Sequence, residues 1–257
     1  MKSEPDFDVA RAMLEWQLEM GATDAIGETP VDRYARPAAV SEPRPQGAPL
    51  TVNARQPDDA AAARALAAQA TDLTSLAELQ AGFDGCELKK GARNFVFSDG
   101  VPGARVMIIG EAPGRDEDAQ GKPFVGRAGQ LLDKMFDAIG MSRTEGAGAP
   151  IYITNILPWR PPQNRDPKPE EIGMMLPFVE RHVALAGPQV LVLTGNISCQ
   201  AVLGRRGITR LRGNWTQGLD LPVLPMFHPA YLLRNPAAKR EAWRDLLALQ
   251  ARLRDGA

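Results

Sequence analysis

Only two cysteines, Cys86 and Cys199, and two histidines, His182 and His228, occur in the 257 residues of this chain. So few thiols exclude a disulfide framework. A metal centre built from Cys and His would need every available ligand, so metal-free chemistry is expected and each cysteine reads as a packing residue. Long apolar runs are also missing: nothing approaches the roughly 20 residues of a membrane helix, and the acidic start has neither the basic region nor the apolar stretch of a secretion signal. These absences predict a soluble protein with a cytoplasmic location and no membrane association. Apolar residues make up 44% and charged residues 24% of the chain, enough for one α/β domain with a shorter appendage. The net charge of −1 conceals an asymmetry. Beyond Gly204, Arg205, Arg206, Arg210, Arg212, Arg234 and Lys239 form a basic end that suits a polyanion, with a solvated helix face as the alternative.

Three segments are expected. Residues 1–26 carry apolar side chains at helical spacing from Phe7 to Met20, with Gly21 as a stop, and predict an amphipathic helix that could meet a partner protein. Residues 27–59 are rich in Pro and Ala, with Pro30, Pro37, Pro43, Pro45, Pro49 and Pro57 interrupting any long element, and read as a linker. Residues 60–257 hold the expected catalytic domain. It opens with an Ala-rich helix from about Asp58 and a second helix that Thr or Ser caps near Thr71–Ser75. Strands are expected at Arg105–Ile109, Ile151–Ile156, Val190–Thr194 and Val223–Met226, alternating with helices at Ala128–Ile139, Glu170–Ala186 and Lys239–Arg254. This alternation predicts a three-layer α/β/α fold with a central, mostly parallel sheet.

Ligands of open α/β sheets bind beyond the carboxyl ends of the strands, so the segments that follow each strand are where chemistry belongs. Gly110-Glu111-Ala112-Pro113-Gly114 follows the first strand and leads to Gly121-Lys122-Pro123-Phe124-Val125-Gly126. Asn155 ends the second strand, before Arg160-Pro161-Pro162-Gln163-Asn164-Arg165-Asp166-Pro167. His228-Pro229-Ala230-Tyr231-Leu232-Leu233-Arg234 follows the last. A carboxylate, an amide, an aromatic ring and an imidazole from these segments suit a planar heterocycle: Asn155 pairs with its edge, Phe124 stacks on its face, and Glu111 and His228 face the opposite charges that develop on reaction. Taken singly, each has a plainer reading: a helix-capping carboxylate, a turn asparagine, a core phenylalanine, a strand-end histidine.

The runs GEAPGRDEDAQGKPFVGRAGQLLDKM from Gly110, YITNILPWRPPQNRDPKPEEI from Tyr152 and HPAYLLRNPAAKREAW from His228 resemble, in order and spacing, the signature blocks of family 4 uracil-DNA glycosylases. The resemblance spans roughly residues 83–254 and implies the uracil-DNA glycosylase fold. It also implies hydrolysis of the N-glycosidic bond of deoxyuridine in DNA by a monofunctional, base-flipping repair enzyme at the nucleoid, acting as a monomer. Residue by residue, it gives Glu111 the water or the sugar cation, His228 a hydrogen bond to uracil O2, Asn155 the uracil edge and Phe124 the stacking face. Ala112 lines the base, and Glu117 stands beside C5 to reject a thymine methyl, or else faces solvent. DNA contacts fall to Arg160, Arg165 and the loop Tyr231-Leu232-Leu233-Arg234, an apolar wedge with a phosphate-binding arginine.

The family holds a four-iron cluster through four cysteines, and here those positions read Phe83, Cys86, Trp159 and Met175. One thiolate does not make such a centre. The expectation is therefore no cofactor, with Phe83, Trp159 and Met175 packed as an apolar plug. Two other classes stand beside this reading. One is a uracil- or damage-binding protein that has lost catalysis or changed specificity. The other is a phosphohydrolase using GEAPG as a phosphate loop, which would need a Lys-Ser pair or metal-binding carboxylates that the sequence does not place.

Overall fold

The computed structural model describes residues 56–255. The helix expected at Phe7–Met20 and nearly all of the Pro-rich linker lie outside them. Helix α1 (Gln56–Ala67) starts inside the segment read as linker, with Pro57 as its second residue. A proline there lacks only an N–H that has no partner in the first turn, so it opens a helix instead of breaking one. Helix α2 (Leu73–Gly82) begins with a capping box: Ser75 N donates to Asp72 Oδ1 at 2.7 Å, and Asp72 N donates to Ser75 Oγ at 3.1 Å. The cap is thus Asp72, with Ser75 as its reciprocal partner.

Strands β1 (Ser98–Gly100), β2 (Val106–Gly110), β3 (Met141–Ser142), β4 (Ala149–Asn155), β5 (Val190–Thr194), β6 (Thr216–Gly218) and β7 (Leu221–Met226) form one sheet. Its order is β1-β4-β2-β5-β7-β6, with β3 beside β4. The central β4, β2, β5 and β7 are mutually parallel, while β1 and β6 close the two edges antiparallel. The expected mostly parallel sheet is therefore present, with short polar edge strands added.

Alternation along the strands builds two cores. Met107, Ile109, Leu191 and Leu193 face one side, and Val106, Ile108, Val190 and Val192 face the other. The first side is covered by α1, α2, α6 (Pro169–Ala186) and α7 (Gly195–Leu203), through residues such as Leu76, Phe178 and Ile197. The second is covered by α5 (Arg127–Asp137) and α10 (Lys239–Asp255), through Leu132, Phe136, Leu246 and Leu249. The short α3 (Leu88–Gly91), α4 (Arg115–Gln120), α8 (Ile208–Leu211) and α9 (Pro229–Arg234) complete the helices among the described residues. This is the three-layer α/β/α arrangement. The chain leaves β2 to reach β4 on one side and then β5 on the other, so a crevice opens at the carboxyl end of β2.

Candidate active site

The parallel register sets Gly110 directly beside Asn155, so β2 delivers Glu111 and β4 delivers Asn155 to the same edge. Ile156 N donates to Gly110 O at 3.0 Å and Leu157 N donates to Glu111 O at 3.0 Å, which carries the pairing one step beyond the strands and fixes where both side chains leave the backbone. Gly110 has to be glycine: a Cβ there would lie 2.3 Å from Asn155 Oδ1 and 2.6 Å from the Phe124 ring. The next parallel neighbours, β5 and β7, end nearby, and His228 follows β7 as the cap of α9.

These loops enclose a cavity of about 390 Å³ lined by Glu111, Ala112, Glu117, Phe124, Asn155 and His228. That volume is in the range of small-molecule sites. Arg165, Asp166 and Arg234 stand at the same cavity. Glu111 is half-buried, and its carboxyl is pushed up to about 7, first by burial and then by the charge of Asp166, with Arg206 pulling it back. Asn155 is 7% exposed and presents its amide to the cavity wall.

His228 Nδ1 accepts a hydrogen bond from Ala230 N at 3.2 Å. A ring nitrogen that accepts carries no proton, so in the neutral imidazole the proton sits on Nε2, leaving one N–H donor free for a ligand. Burial, with a smaller contribution from Arg234, lowers the His228 value to about 4, so the ring is neutral at physiological pH. The Phe124 ring lies 5.5 Å from the imidazole, inclined by 29°.

The structure shows what surrounds the other expected site residues. The Glu117 carboxylate, expected beside the base, accepts from the amides of Gly114 (3.1 Å), Val125 (3.0 Å) and Gly126 (2.8 Å). It organises two loops and has little capacity left for a ligand. Leu232, expected in the wedge, is 0% exposed and belongs to the core, because α9 turns that side chain inward; its neighbour Leu233 is 36% exposed and carries the apolar tip. Tyr231 stacks on Phe227 at 4.9 Å. Arg165 forks onto Glu171 at 2.9 and 2.6 Å, and Arg160 donates to Asn164 at 2.7 Å, so neither guanidinium is wholly free. Arg212 of the basic end is paired with Asp245. Asp166, within the RPPQNRDP block, and Arg206, in the basic end, carry no sign in the sequence of their effect on Glu111, which ranks after that of burial.

The residues at the positions that the resemblance assigns to an iron-sulfur cluster offer few donors to such a group. Phe83 and Trp159 offer none, and Met175 offers a neutral thioether that accepts from Gln80 Nε2 at 3.9 Å. Cys86 is 1% exposed, and burial raises its thiol. The second cysteine, Cys199, sits on α7. No group of three or more metal-ligating side chains occurs among the described residues. The donor set does not fit a cluster. All four positions are instead buried members of one core, with Phe83 edge-on to Phe178 at 5.6 Å and Trp159 tilted on Phe95 at 5.7 Å.

A type-4 uracil-DNA glycosylase of Pyrobaculum aerophilum is 37% identical over 184 residues, spanning 68% of this chain and 91% of the relative. Those of Archaeoglobus fulgidus, at 38% over 169 residues (62% and 82%), and Thermotoga maritima, at 38% over 155 residues (58% and 77%), match in the same way. Residues 97–247, which run from β1 into α10 and include every loop of the cavity, match the family described as the uracil DNA glycosylase superfamily, and the chain belongs to that superfamily.

Proposed function

We infer that this protein is a uracil-DNA glycosylase: a monofunctional hydrolase that cuts the N-glycosidic bond of deoxyuridine in DNA, releases uracil and leaves an abasic site for base-excision repair. The observation that carries this reading is the convergence of Glu111, Phe124, Asn155 and His228 on one cavity, with His228 Nε2–H free to donate.

In this reading the deoxyuridine is flipped out of the stack, and Phe124 supports the face of the base. The Asn155 amide donates to uracil O4 and accepts from N3–H; cytosine offers the reverse pattern, so a fixed amide discriminates between them. As C1′–N1 breaks, the bonding electrons pass to the base, and the neutral His228 donates to O2 as that oxygen gains negative charge. The sugar becomes an oxocarbenium-like cation, which the ionised Glu111 faces. Water adds to C1′, and its proton passes to Glu111. Arg234 at the cavity rim and the exposed Leu233 suit a phosphate contact and a wedge into the vacated stack, with Arg160, Arg165 and Tyr231 flanking. The enzyme is proposed to act as a monomer. Chromosomal substrate puts such an enzyme in the cytoplasm at the nucleoid. None of the described helices is long and apolar enough to cross a membrane. The segment 1–26 is left for a protein partner.

The enzyme is proposed to work without an iron-sulfur cluster, its loops held by the burial of Phe83, Trp159 and Met175. Iron and acid-labile sulfide measured on the purified protein are expected at background, and stoichiometric iron would end this part of the proposal. Excision is tested with oligonucleotides that contain uracil, hypoxanthine or a thymine mismatch, comparing wild type with Glu111→Ala and Asn155→Ala. Abasic sites are expected from uracil DNA with wild type only. Tight binding of uracil DNA with no abasic product would instead favour the non-catalytic binder.

A further inference from the structure

Phe124 occupies a conformation its own chemistry disfavours. Its backbone is left-handed, with φ 54°, a region that crowds the Cβ of any residue but glycine. The residue lies in the loop between α4 and α5, outside the sheet, so the loop's backbone groups need partners from elsewhere. Two oppositely charged side chains provide them.

Arg143, one residue beyond β3, donates from Nη1 to Pro123 O at 3.0 Å and from Nη2 to Phe124 O at 2.9 Å. The guanidinium is itself anchored, with Nε on Asp133 of α5 at 2.7 Å and Nη1 on Asp99 of β1 at 3.1 Å, and its side chain is only 12% exposed. From the other side, Glu117 takes the amides of Val125 and Gly126. The carbonyls of Pro123 and Phe124 thus face a cation, and the amides just after them face an anion. Helix α5 closes the remaining side: a Cβ on Gly129 would lie 1.7 Å from Phe124 O.

We propose that Arg143 is a positioning residue for uracil recognition, which with Glu117 clamps the Phe124 loop from both sides so that the aromatic floor of the cavity is formed before a base arrives. The proposal rests on the reading of Phe124 as that floor. It requires a planar fork of donors, because two adjacent carbonyls and two carboxylates are met at once; a lysine ammonium keeps the charge but not the fork.

Arg143→Lys, Glu117→Gln and Phe124→Ala are compared with wild type for steady-state excision, inhibition by free uracil, binding to DNA carrying a tetrahydrofuran abasic analogue, and thermal melting. Loss of one charge-assisted hydrogen bond corresponds to about tenfold in affinity. The KM for uracil DNA and the inhibition constant of free uracil are therefore expected to rise about tenfold in Arg143→Lys and in Glu117→Gln, with kcat nearly unchanged. Affinity for the abasic analogue, which has no base to stack, should stay at the wild-type value. If Phe124→Ala raises both constants while Arg143→Lys or Glu117→Gln leaves them at wild type, the two-sided clamp is overturned and the floor survives. If Phe124→Ala changes neither, the floor is wrong and the clamp falls with it. Parallel losses of melting temperature and abasic-DNA affinity in Arg143→Lys would assign Arg143 to the fold alone and also overturn the proposal.

Discussion

A carboxyl held near 7 is poorly charged at the pH where a glycosylase needs it, and in Glu111 three influences set that balance. Burial and Asp166 oppose ionisation, and Arg206 favours it. If, as proposed, the ionised form faces the sugar cation and takes the proton from water, kcat/KM rises with pH through about 7. Asp166→Asn removes a repelling charge and should move the midpoint of that rise to lower pH, whereas Arg206→Ala should move it higher. Excision rates across the neutral range for the three proteins decide the matter, and a midpoint insensitive to both substitutions would remove Glu111 from the role. His228 adds no limb in this range, since its ring gains a proton only near 4. At this scale much of the cavity is legible in the sequence: Asn155 ends a recognisable strand, Glu111 and His228 each follow one, and strand ends place residues. What could not be read was commitment. Nothing in RDEDAQ says that Glu117 will spend its oxygens on the amides of Gly114, Val125 and Gly126. Arg143, in a segment without motif or periodicity, gives no sign of meeting a loop about twenty residues away.

Among the elements, the segment after β4 carries Trp159, at a position that the resemblance assigns to a cluster ligand. Trp159 is 3% exposed and packs against Phe95, while Met175 on α6 and Phe83 after α2 close the same core. If burial does here what metal bonds do in a cluster, truncating the largest of these groups should be felt strongly. Trp159→Ala is expected to cost about 3–5 kcal/mol, read as a lower denaturant midpoint at unchanged slope. A variant as stable as wild type would show that these side chains tie nothing together. Strand legibility tracked apolarity. The run VLVLT was read to its exact bounds as β5, because a continuous apolar stretch flanked by Gly and Pro has few other uses. The edge strands Ser98–Gly100 and Thr216–Gly218 went unread, since three polar residues paired on one side leave no pattern. Helices α4 and α7 were missed for related reasons: RDEDAQ has no apolar face, and α7 begins on a glycine directly after a strand.

For the molecule as a whole, the two histidines and Glu111 pull stability in opposite directions. His182 is a buried residue of α6, with its ring stacked on Phe97 at 4.3 Å and its Nε2 at 2.9 Å from the Tyr152 hydroxyl, and burial lowers it to about 3. His182 and His228 both fall below the ordinary 6.5, so the unfolded chain takes up protons that the native state refuses. Their contribution is intact above about 6.5 and is lost as pH falls below it. Glu111 behaves inversely. Its native value is raised from 4.5 to about 7, so its contribution is complete below 4.5 and disappears as pH rises through about 7. Holding this carboxylate in the cavity therefore costs the folded state about 3 kcal/mol at most above neutrality, from about 1.36 kcal/mol per pH unit. Asp133 and Asp245 are also raised by burial, so wild type alone cannot isolate the effect of Glu111. The comparison with Glu111→Gln can, because every other group is common to both proteins. The variant should be the more stable protein at pH 8, and its stability should climb more steeply than that of wild type between 4.5 and 7, by one proton's worth. Unfolding free energies from denaturant titrations at several pH values measure both quantities. Parallel curves for the two proteins would mean that Glu111 ionises as freely in the cavity as in the unfolded chain, and the strain assigned to this carboxylate would not exist.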